Sequence, residues 1–259
     1  MERLDSHRKI RVTMELKLKQ QLRNWAAVWL LLLNILSCTK DSEVPTDVVE
    51  ELTDDQIAVI DYFKDVALGF EFGSASAITR KWNAPMKVYV GGTPAPELLT
   101  ELDNIINEIT PLITDGFSIE MVSDSLQSNY YVFFGSGAAY ADVFPPASNY
   151  VSNNWGLFFI NWNGQNQLNS GSMYVDIERA DLNAQKHLLR EEFTQSLGLA
   201  KDSSQYPLSI FQSAWTSTTT YAPIDRSLIR LLYHPQVTSA LNAVEVETVL
   251  KAILLSENQ

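Results

Sequence analysis

The sequence predicts an α+β fold, a mixed β-sheet with two long helices packed on it, and leaves an α/β arrangement as the alternative. Several short segments are apolar at every second position, which predicts strands. Longer segments are apolar at spacings of three and four, which predicts helices. These segments follow each other as strand, helix, several strands, helix, with no internal repeat.

The first predicted elements are a helix, a strand and a second helix. Residues 53–70 (TDDQIAVIDYFKDVALGF) begin with a Thr/Asp cap and place their apolar residues on one helical face. Residues 86–92 (MKVYVGG) alternate as a strand and end on glycines. Residues 95–113 (APELLTELDNIINEITPLI) predict a long helix that packs on this strand.

Four more strands and a loop complete the predicted domain. The strands begin near Phe117, Asn129 and Trp155, and the last covers residues 170–179. Residues 138–154 are rich in Pro, Asn and Ser and predict a long surface loop, either a simple connection or the rim of a cleft. We expect one domain over residues 53–259, with an N-terminal and a C-terminal helix.

The N-terminus has the layout of a secretion signal. Residues 17–23 are basic, and residues 25–36 (WAAVWLLLLNIL) are apolar but shorter than the roughly 20 residues of a membrane-spanning helix. The run ends in ILSC, and Cys38 is the only cysteine of the chain, so an internal disulfide is excluded. This ending resembles a bacterial lipobox. We predict a lipoprotein signal peptide over residues 1–37, a lipid such as palmitate on Cys38, and a flexible tether over residues 38–52.

The lipid would make the membrane one partner and would place the protein in the cell envelope, on the outer membrane. The acidic tether resembles a signal for surface display, with a plain linker as the alternative. The formal charge is −12, and residues 1–37 hold seven Lys/Arg and three Asp/Glu, a net of +4, so the remainder carries −16. A nucleic acid partner is therefore excluded, because no basic face is left to bind phosphates.

The candidate site lies in residues 186–202 (KHLLREEFTQSLGLAKD). Positions four apart on a helix share a face, so Glu191 and Gln195 point the same way. In the zinc-helix pattern H-E-x-x-H these two positions are histidines, and the glutamate between them is the general base. Glu192 occupies that position here.

This stretch resembles the zinc helix of the metzincin metalloproteases, with the histidines replaced. Gly198 stands where metzincins turn out of the helix, and Lys201 and Asp202 replace the third histidine and the aspartate after it. Residues 206–213 (YPLSIFQS) resemble the Met-turn, with Phe211 in the methionine place. The plain alternative is an amphipathic helix with a glycine near its cap.

Residues 222–235 (APIDRSLIRLLYHP) resemble the helix that follows in metzincins. Together these features cover about residues 80–235 and imply a zincin-like, metzincin-like fold. The segments HLLREEFTQSLGLAKDS, SIF and DRSLIRLLY are also similar to domain of unknown function 2927, a family of predicted bacterial lipoproteins.

The resemblance implies a pseudoenzyme: a degenerate metzincin-like domain that works as a binding or structural module. Its ligand, an unidentified protein, peptide or saccharide, would contact Glu191, Gln195, Lys201 and Asp202. We expect Lys201 to approach Glu191 or Gln195 and to replace the charge of the zinc. The alternative is a divergent peptidase or other hydrolase, with or without a metal, in which Glu192 is the catalytic acid or base.

We predict no cofactor and no metal. Beyond residue 37 the chain has two histidines, His187 and His234, which excludes a three-histidine zinc site. His187, Glu191 and Gln195 form a stripe on one helix, but over about 12 Å they are too far apart to share one ion. The alternative is zinc held by His187 and Glu191 with ligands from elsewhere in the chain.

The sequence lacks the motifs of other common classes of enzyme. The sequence contains no G-x-S-x-G elbow, P-loop or dinucleotide-binding fingerprint. Most of its aromatic residues fall within predicted strands and are assigned to the core. Trp155, Trp162 and Trp215 lie near predicted loop ends, where they could line a saccharide or peptide groove.

Overall fold

The computed structural model describes residues 51–71 and 74–258, which contain one six-stranded sheet. The central strands pair in the order β1-β6-β4-β2-β3, all of them parallel. β5 pairs antiparallel with β6 and lies outside this order. The strands are β1 Lys81–Trp82, β2 Met86–Gly92, β3 Ile119–Met121, β4 Tyr130–Gly135, β5 Gly156–Trp162 and β6 Gln167–Asp176.

Six α-helices accompany the sheet in this part of the chain. They are α1 Asp54–Ala67, α2 Pro96–Ile109, α3 Gly137–Val143, α4 Leu182–Gln195, α5 Pro223–Leu232 and α6 Ala243–Ser256. Short 3₁₀ turns cover Thr110–Leu112, Ser125–Gln127 and Pro145–Asn149. None of the helices within the described ranges is long and apolar enough to cross a membrane.

Most of the predicted elements are confirmed. β2 has the predicted bounds, and a capping box between Thr53 and Gln56 begins α1 where the Thr/Asp cap was expected. The long second helix is shorter than predicted, because Pro111 lies in the 3₁₀ turn that ends it. The fold is a mixed α/β arrangement with a mostly parallel sheet.

Two predictions need correction. Residues 138–154 are not a plain loop, because α3 and the 3₁₀ turn Pro145–Asn149 occupy most of them. The side chain of Ser136 accepts from the backbone N–H of Ala139 and caps α3. The strand predicted over residues 170–179 also has other bounds, since β6 covers Gln167–Asp176.

Both faces of the sheet are covered, as expected for parallel strands. Successive residues of a strand point to opposite faces, and β4 shows the division clearly. Tyr130, Val132 and Phe134 belong to the main core, whereas Phe133 belongs to a smaller cluster with Tyr140 of α3 and Tyr174 of β6.

α4 is buried around most of its circumference. Its apolar residues Leu189 and Phe193 enter the main core, and the helix contacts β5, β6 and α2. On the α2 side, Arg190 donates to Glu101 at 2.6 Å. These contacts fix the rotation of α4 and hence the direction of its polar side chains. The predicted signal peptide, Cys38 and most of the predicted tether lie outside the described residues.

Candidate functional site

An acidic cleft of about 900 Å³ lies between α4, the start of β5 and the chain that follows α4. It is lined by Glu71, Asn153, Asn154, Trp155, Gly156, Arg179, Asp181, Asn183, Ala184, His187, Leu188, Glu191, Glu192, Gln195, Asp202, Gln212, Ser213, Ala214, Trp215 and Ser217. Five of these residues carry a carboxylate, namely Glu71, Asp181, Glu191, Glu192 and Asp202, and the cavity is called the acidic cleft.

Helical spacing brings His187, Glu191 and Gln195 to the cleft at steps of four residues. The Nε2 atom of His187 lies 3.3 Å from Oε2 of Glu191. Its Nδ1 lies 2.7 Å from the carbonyl oxygen of Thr218, which can only accept a hydrogen bond. Because both ring nitrogens face acceptors, the imidazolium form fits this site, with Glu191 as its counter-ion.

Glu192 lies about 100° around the helix from Glu191, yet both side chains line the cleft. The cleft extends around α4 as far as Gly156 at the start of β5. A Cβ atom on Gly156 would lie only 2.7 Å from Oε1 of Glu192, so a larger residue at this position would displace the Glu192 carboxyl group. Glu192 is 9% exposed, and its carboxyl group has no hydrogen-bond partner among the described residues.

Asp202 enters the cleft from the turn after α4. Gly198 has a φ of +114°, and its N–H donates to the carbonyl oxygen of Gln195. A Cβ at Gly198 would lie 2.0 Å from the Arg80 carbonyl oxygen, which explains why a glycine stands there. The sharp turn allows Nε2 of Gln195 to donate to Oδ1 of Asp202 at 2.6 Å.

Besides Asp181, which caps the N-terminus of α4, the sequence analysis missed one further carboxylate of the cleft, Glu71. It follows α1 and lies exposed at the mouth of the cleft, where its backbone N–H donates to the carbonyl oxygen of Ala200 at 3.2 Å. No local pattern marks this residue. The contact joins two distant parts of the chain, and only the fold reveals it.

Burial and the neighbouring charges raise the pKa of three of these carboxyl groups, Glu71, Glu192 and Asp202. Burial, and then the charges of Glu191, Asp202 and Glu71, raise the pKa of Glu192 well above its usual value. Burial, followed by the charges of Glu191 and Glu71, raises the pKa of Asp202 to about 7. Burial and the charge of Glu191 also raise the pKa of Glu71.

The pKa of His187 is also raised, but in this case burial opposes the shift. Burial lowers the pKa of its imidazole, but the hydrogen bond to Glu191 and the charge of that carboxylate outweigh burial, so the pKa is raised. The ion pair therefore neutralises Glu191 in part. Glu192 has no such partner within the described ranges.

The expected contact of Lys201 is wrong. Its Nζ atom donates to Oδ1 of Asp65 on α1 at 3.4 Å, and Lys201 is not among the residues that line the cleft. The preceding prediction placed this ammonium against Glu191 or Gln195. The lysine lies instead on the α1 side of the turn, where its backbone N–H also donates to the carbonyl oxygen of Val66.

The side chains do not fit a zinc ion in the metzincin manner. Lys201 pairs with Asp65, the amide nitrogen of Gln195 is bonded to Asp202, and both ring nitrogens of His187 face other partners. Within residues 51–71 and 74–258, no group of three or more His, Cys, Asp or Glu side chains is arranged to hold a metal ion.

A buried hydrogen-bond network fixes the chain segment directly before residues 212–215 of the cleft lining. Oγ of Ser209 donates to Oδ1 of Asp225 at 2.6 Å, and Tyr62 donates to Ser209 at 2.8 Å. Asp225 also accepts from the backbone N–H groups of Ile210 and Ala222, which joins the segment before Phe211 to the start of α5. The next residues along the chain, 212–215, line the cleft.

Aromatic residues lie at the mouth of the cleft and beside it. Trp155 is 41% exposed, Trp215 is 61% exposed, and their ring centroids are 6.2 Å apart. Trp162 lines a second, apolar pocket of about 450 Å³ with Phe70, Tyr150, Leu157, Phe158, Phe159 and Ile160. The three tryptophans named from the sequence thus all line cavities.

The two cavities are adjacent, because Glu71, Asn154, Gly156 and Glu192 line both. A ligand in the acidic cleft can therefore extend along β5 into the apolar pocket.

Comparison with known proteins gives one family. Residues 56–252, most of the chain, match the family described as "Protein of unknown function (DUF2927)". The chain belongs to this family. The match includes all of α4, the turn that follows it and every lining residue of the acidic cleft. No curated protein matches the sequence. The family assignment predicted from the sequence is confirmed, and the family description assigns no activity.

Proposed function

We propose that this protein of the DUF2927 family is a lipid-anchored protein of the cell envelope whose domain binds a ligand in the acidic cleft without zinc. The domain is a zincin-like, metzincin-like fold that has lost its metal ligands and acts as a binding module. The lipid on Cys38 holds it at the outer membrane, and the tether gives the domain its reach.

Several features support the zincin relationship. The antiparallel strand β5 lies beside the helix that carries the motif, and Gly198 turns the chain sharply out of that helix. The Ser-Ile-Phe segment, residues 209–211, is tied to the acidic residue near the start of the next helix, Asp225.

The unpaired carboxyl group of Glu192 carries the proposal of a ligand site. A carboxyl group that faces a cleft and has no partner in the protein is free to accept hydrogen bonds from a bound molecule. Glu192 is nine-tenths buried, faces two adjoining cavities and would gain a partner from a bound molecule. Groups whose pKa is strongly shifted, as that of Glu192 is, are concentrated at functional sites.

A thermal-unfolding screen with product analysis tests this function. Peptides and oligosaccharides are added to the purified protein, and each mixture is then examined by mass spectrometry. We expect a ligand that raises the melting temperature of wild type but not of Asp202→Asn, and that remains intact. The matched control Asp142→Asn changes an exposed aspartate away from the cleft and should respond like wild type.

The raised pKa of Glu192 favours a second candidate, a metal-free hydrolase. A protonated Glu192 would give its proton to the leaving group, while Asp202 or Glu191 would take a proton from the attacking water. In this case the screen yields cleavage products with wild type and none with Glu192→Gln. Products that depend on Glu192 would contradict the binding proposal and establish the enzyme.

The lipid anchor has a separate test. Cells that express the full chain are labelled with a fatty acid, and wild type should incorporate the label and fractionate with membranes. Cys38→Ala should do neither. Labelling of Cys38→Ala at the wild-type level would show that the lipobox interpretation is wrong.

A further inference from the structure

The lining of the acidic cleft has more carboxylates than cationic side chains. It includes five carboxylates. The cationic groups on the described part of that lining are His187, which pairs with Glu191, and one guanidinium, that of Arg179. This guanidinium donates to Oδ2 of Asp176 at 2.7 Å and to the carbonyl oxygens of Ser152 and Val151. It is therefore already paired with its own carboxylate.

We propose that the cleft binds an organic cation: an ammonium or guanidinium group attached to an apolar portion. This inference rests on the proposed binding function and names the class of its ligand. The cationic group lies among Glu191, Glu192 and Asp202, and the apolar portion extends along β5 into the second pocket.

The unpartnered Glu192 distinguishes this site from an ordinary acidic surface patch. Its carboxyl is nine-tenths buried and faces the cleft, and the described residues offer it no donor. A guanidinium group offers five N–H donors and an ammonium three, whereas a neutral hydroxyl offers one. Charge-assisted hydrogen bonds of this kind are about twice as strong as neutral ones.

The aromatic residues at the mouth favour the same chemistry. The rings of Trp155 and Trp215 are close together and partly exposed beside the carboxylates. The face of an indole ring attracts cations, and tryptophan does so more strongly than the other aromatic residues. A cation that enters the cleft therefore meets aromatic surface first and carboxylates further in.

The second pocket provides an apolar surface for the apolar portion of the ligand. It shares Gly156 and Glu192 with the cleft and is lined by Phe158, Ile160 and Trp162 of β5. A ligand whose charged group lies against Glu192 can thus place an adjacent apolar group on this strand. A side chain of arginine or lysine next to an apolar residue has this arrangement, and so does an alkylated free amine.

Binding of a cation should release protons. Asp202 faces Glu191, Glu71, His187 and the amide of Gln195, and its pKa of about 7 means that it is partly protonated at neutral pH. A bound cation stabilises the carboxylate form and expels the proton. Affinity should therefore rise between pH 6 and pH 8, since the proton competes with the ligand.

Isothermal titration calorimetry on the full chain tests the proposal. The probe acetyl-Arg-Phe-amide is compared with acetyl-citrulline-Phe-amide, which replaces the guanidinium by an uncharged urea of similar shape. We expect the arginine peptide to bind about 10–100-fold more tightly. Repeating the titration in two buffers of different ionisation enthalpy should show net proton release. Spermidine is a separate probe, and tighter binding of spermidine would identify a free amine as the source.

Matched variants locate the binding. Glu191→Gln and Asp202→Asn should each weaken binding of the arginine peptide about tenfold or more. The exposed carboxylates changed in Glu97→Gln and Asp142→Asn lie outside the cleft and should have no effect. Circular dichroism confirms that each variant is folded before titration.

Three results would overturn the proposal. Equal affinity for the citrulline and arginine peptides would show that charge is not recognised. If calcium or zinc chloride alone bound to wild type and this binding were lost in Asp202→Asn, the cleft would be a metal site. A neutral oligosaccharide that binds where no cation does would contradict the ligand class and leave the proposed binding function standing.

Discussion

Burial and charge act together at Glu192. Desolvation and the neighbouring carboxylates disfavour its ionised form, so the folded state binds the proton more tightly than the unfolded chain. As the pH rises above the usual glutamate pKa, ionisation in the unfolded state draws the equilibrium away from the folded protein. Stability that depends on Glu192 is therefore present at low pH and lost toward high pH.

The change Glu192→Gln removes this effect and keeps the size of the side chain. We expect the variant to exceed wild type in free energy of unfolding at pH 8 by about 1–3 kcal/mol, and by less at pH 4. Denaturant titrations at both pH values measure the difference. Glu97→Gln, on the exposed first turn of α2, should show no such trend. A difference that shrinks with rising pH would contradict the assigned state of Glu192.

The ion pair between His187 and Glu191 makes a second residue-scale prediction. Glu191→Gln removes the carboxylate that raises the pKa of His187, so burial should then lower that pKa toward or below its usual value. An NMR titration of the imidazole C2 proton measures the change. The resonance of His234, which lies outside the cleft, serves as internal control. An unchanged pKa of His187 would show that the pair does not form in solution.

Sequence reasoning predicted part of this site. Glu191 and Gln195 could be placed together because helical spacing is local. Glu192 and Asp202 were predicted from the resemblance to the metzincin pattern. Lys201 was misplaced because its partner Asp65 lies on α1, far away in sequence, and Glu71 was missed for the same reason.

At the scale of elements, the turn after α4 anchors the site to the core. Leu197 is 0% exposed in this turn, between the end of α4 and Gly198. Asp202 reaches the cleft only while this turn keeps its path.

Leu197→Ala should cost about 2–5 kcal/mol in free energy of unfolding, because it leaves a cavity in a packed core. Leu208→Ala is the matched control, since Leu208 is 75% exposed and its truncation should be nearly neutral. Denaturant titration measures both. Equal, small losses in the two variants would mean that Leu197 contributes little to the core.

The elements that sequence patterns predicted are those with long local periodicity. β2 alternates over seven residues and was predicted with its observed bounds. β1 has two residues and exists through its pairing with Gln167 and Leu168 of β6, so no local pattern could reveal it. α3 was missed because the Pro, Ser and Asn residues that directly follow it, within residues 145–154, favour turns.

At the scale of the whole molecule, the fold joins four distant segments around one acidic cleft. α4 supplies His187, Glu191 and Glu192, and the chain after α4 supplies Asp202. The segment after α1 supplies Glu71, and β5 supplies the glycine against Glu192. The strong overall negative charge has the same sign as the cleft and would help to attract a cation over a distance.

The central claim is that this cleft works without a metal, and elemental analysis combined with a stability measurement tests it most directly. Protein from zinc-supplemented cultures is analysed for bound metal, and its unfolding is measured with and without a chelator. We predict far less than one metal ion per chain and an unchanged free energy of unfolding. About one ion per chain, lost in Glu191→Gln, together with a chelator-sensitive fold, would contradict the account.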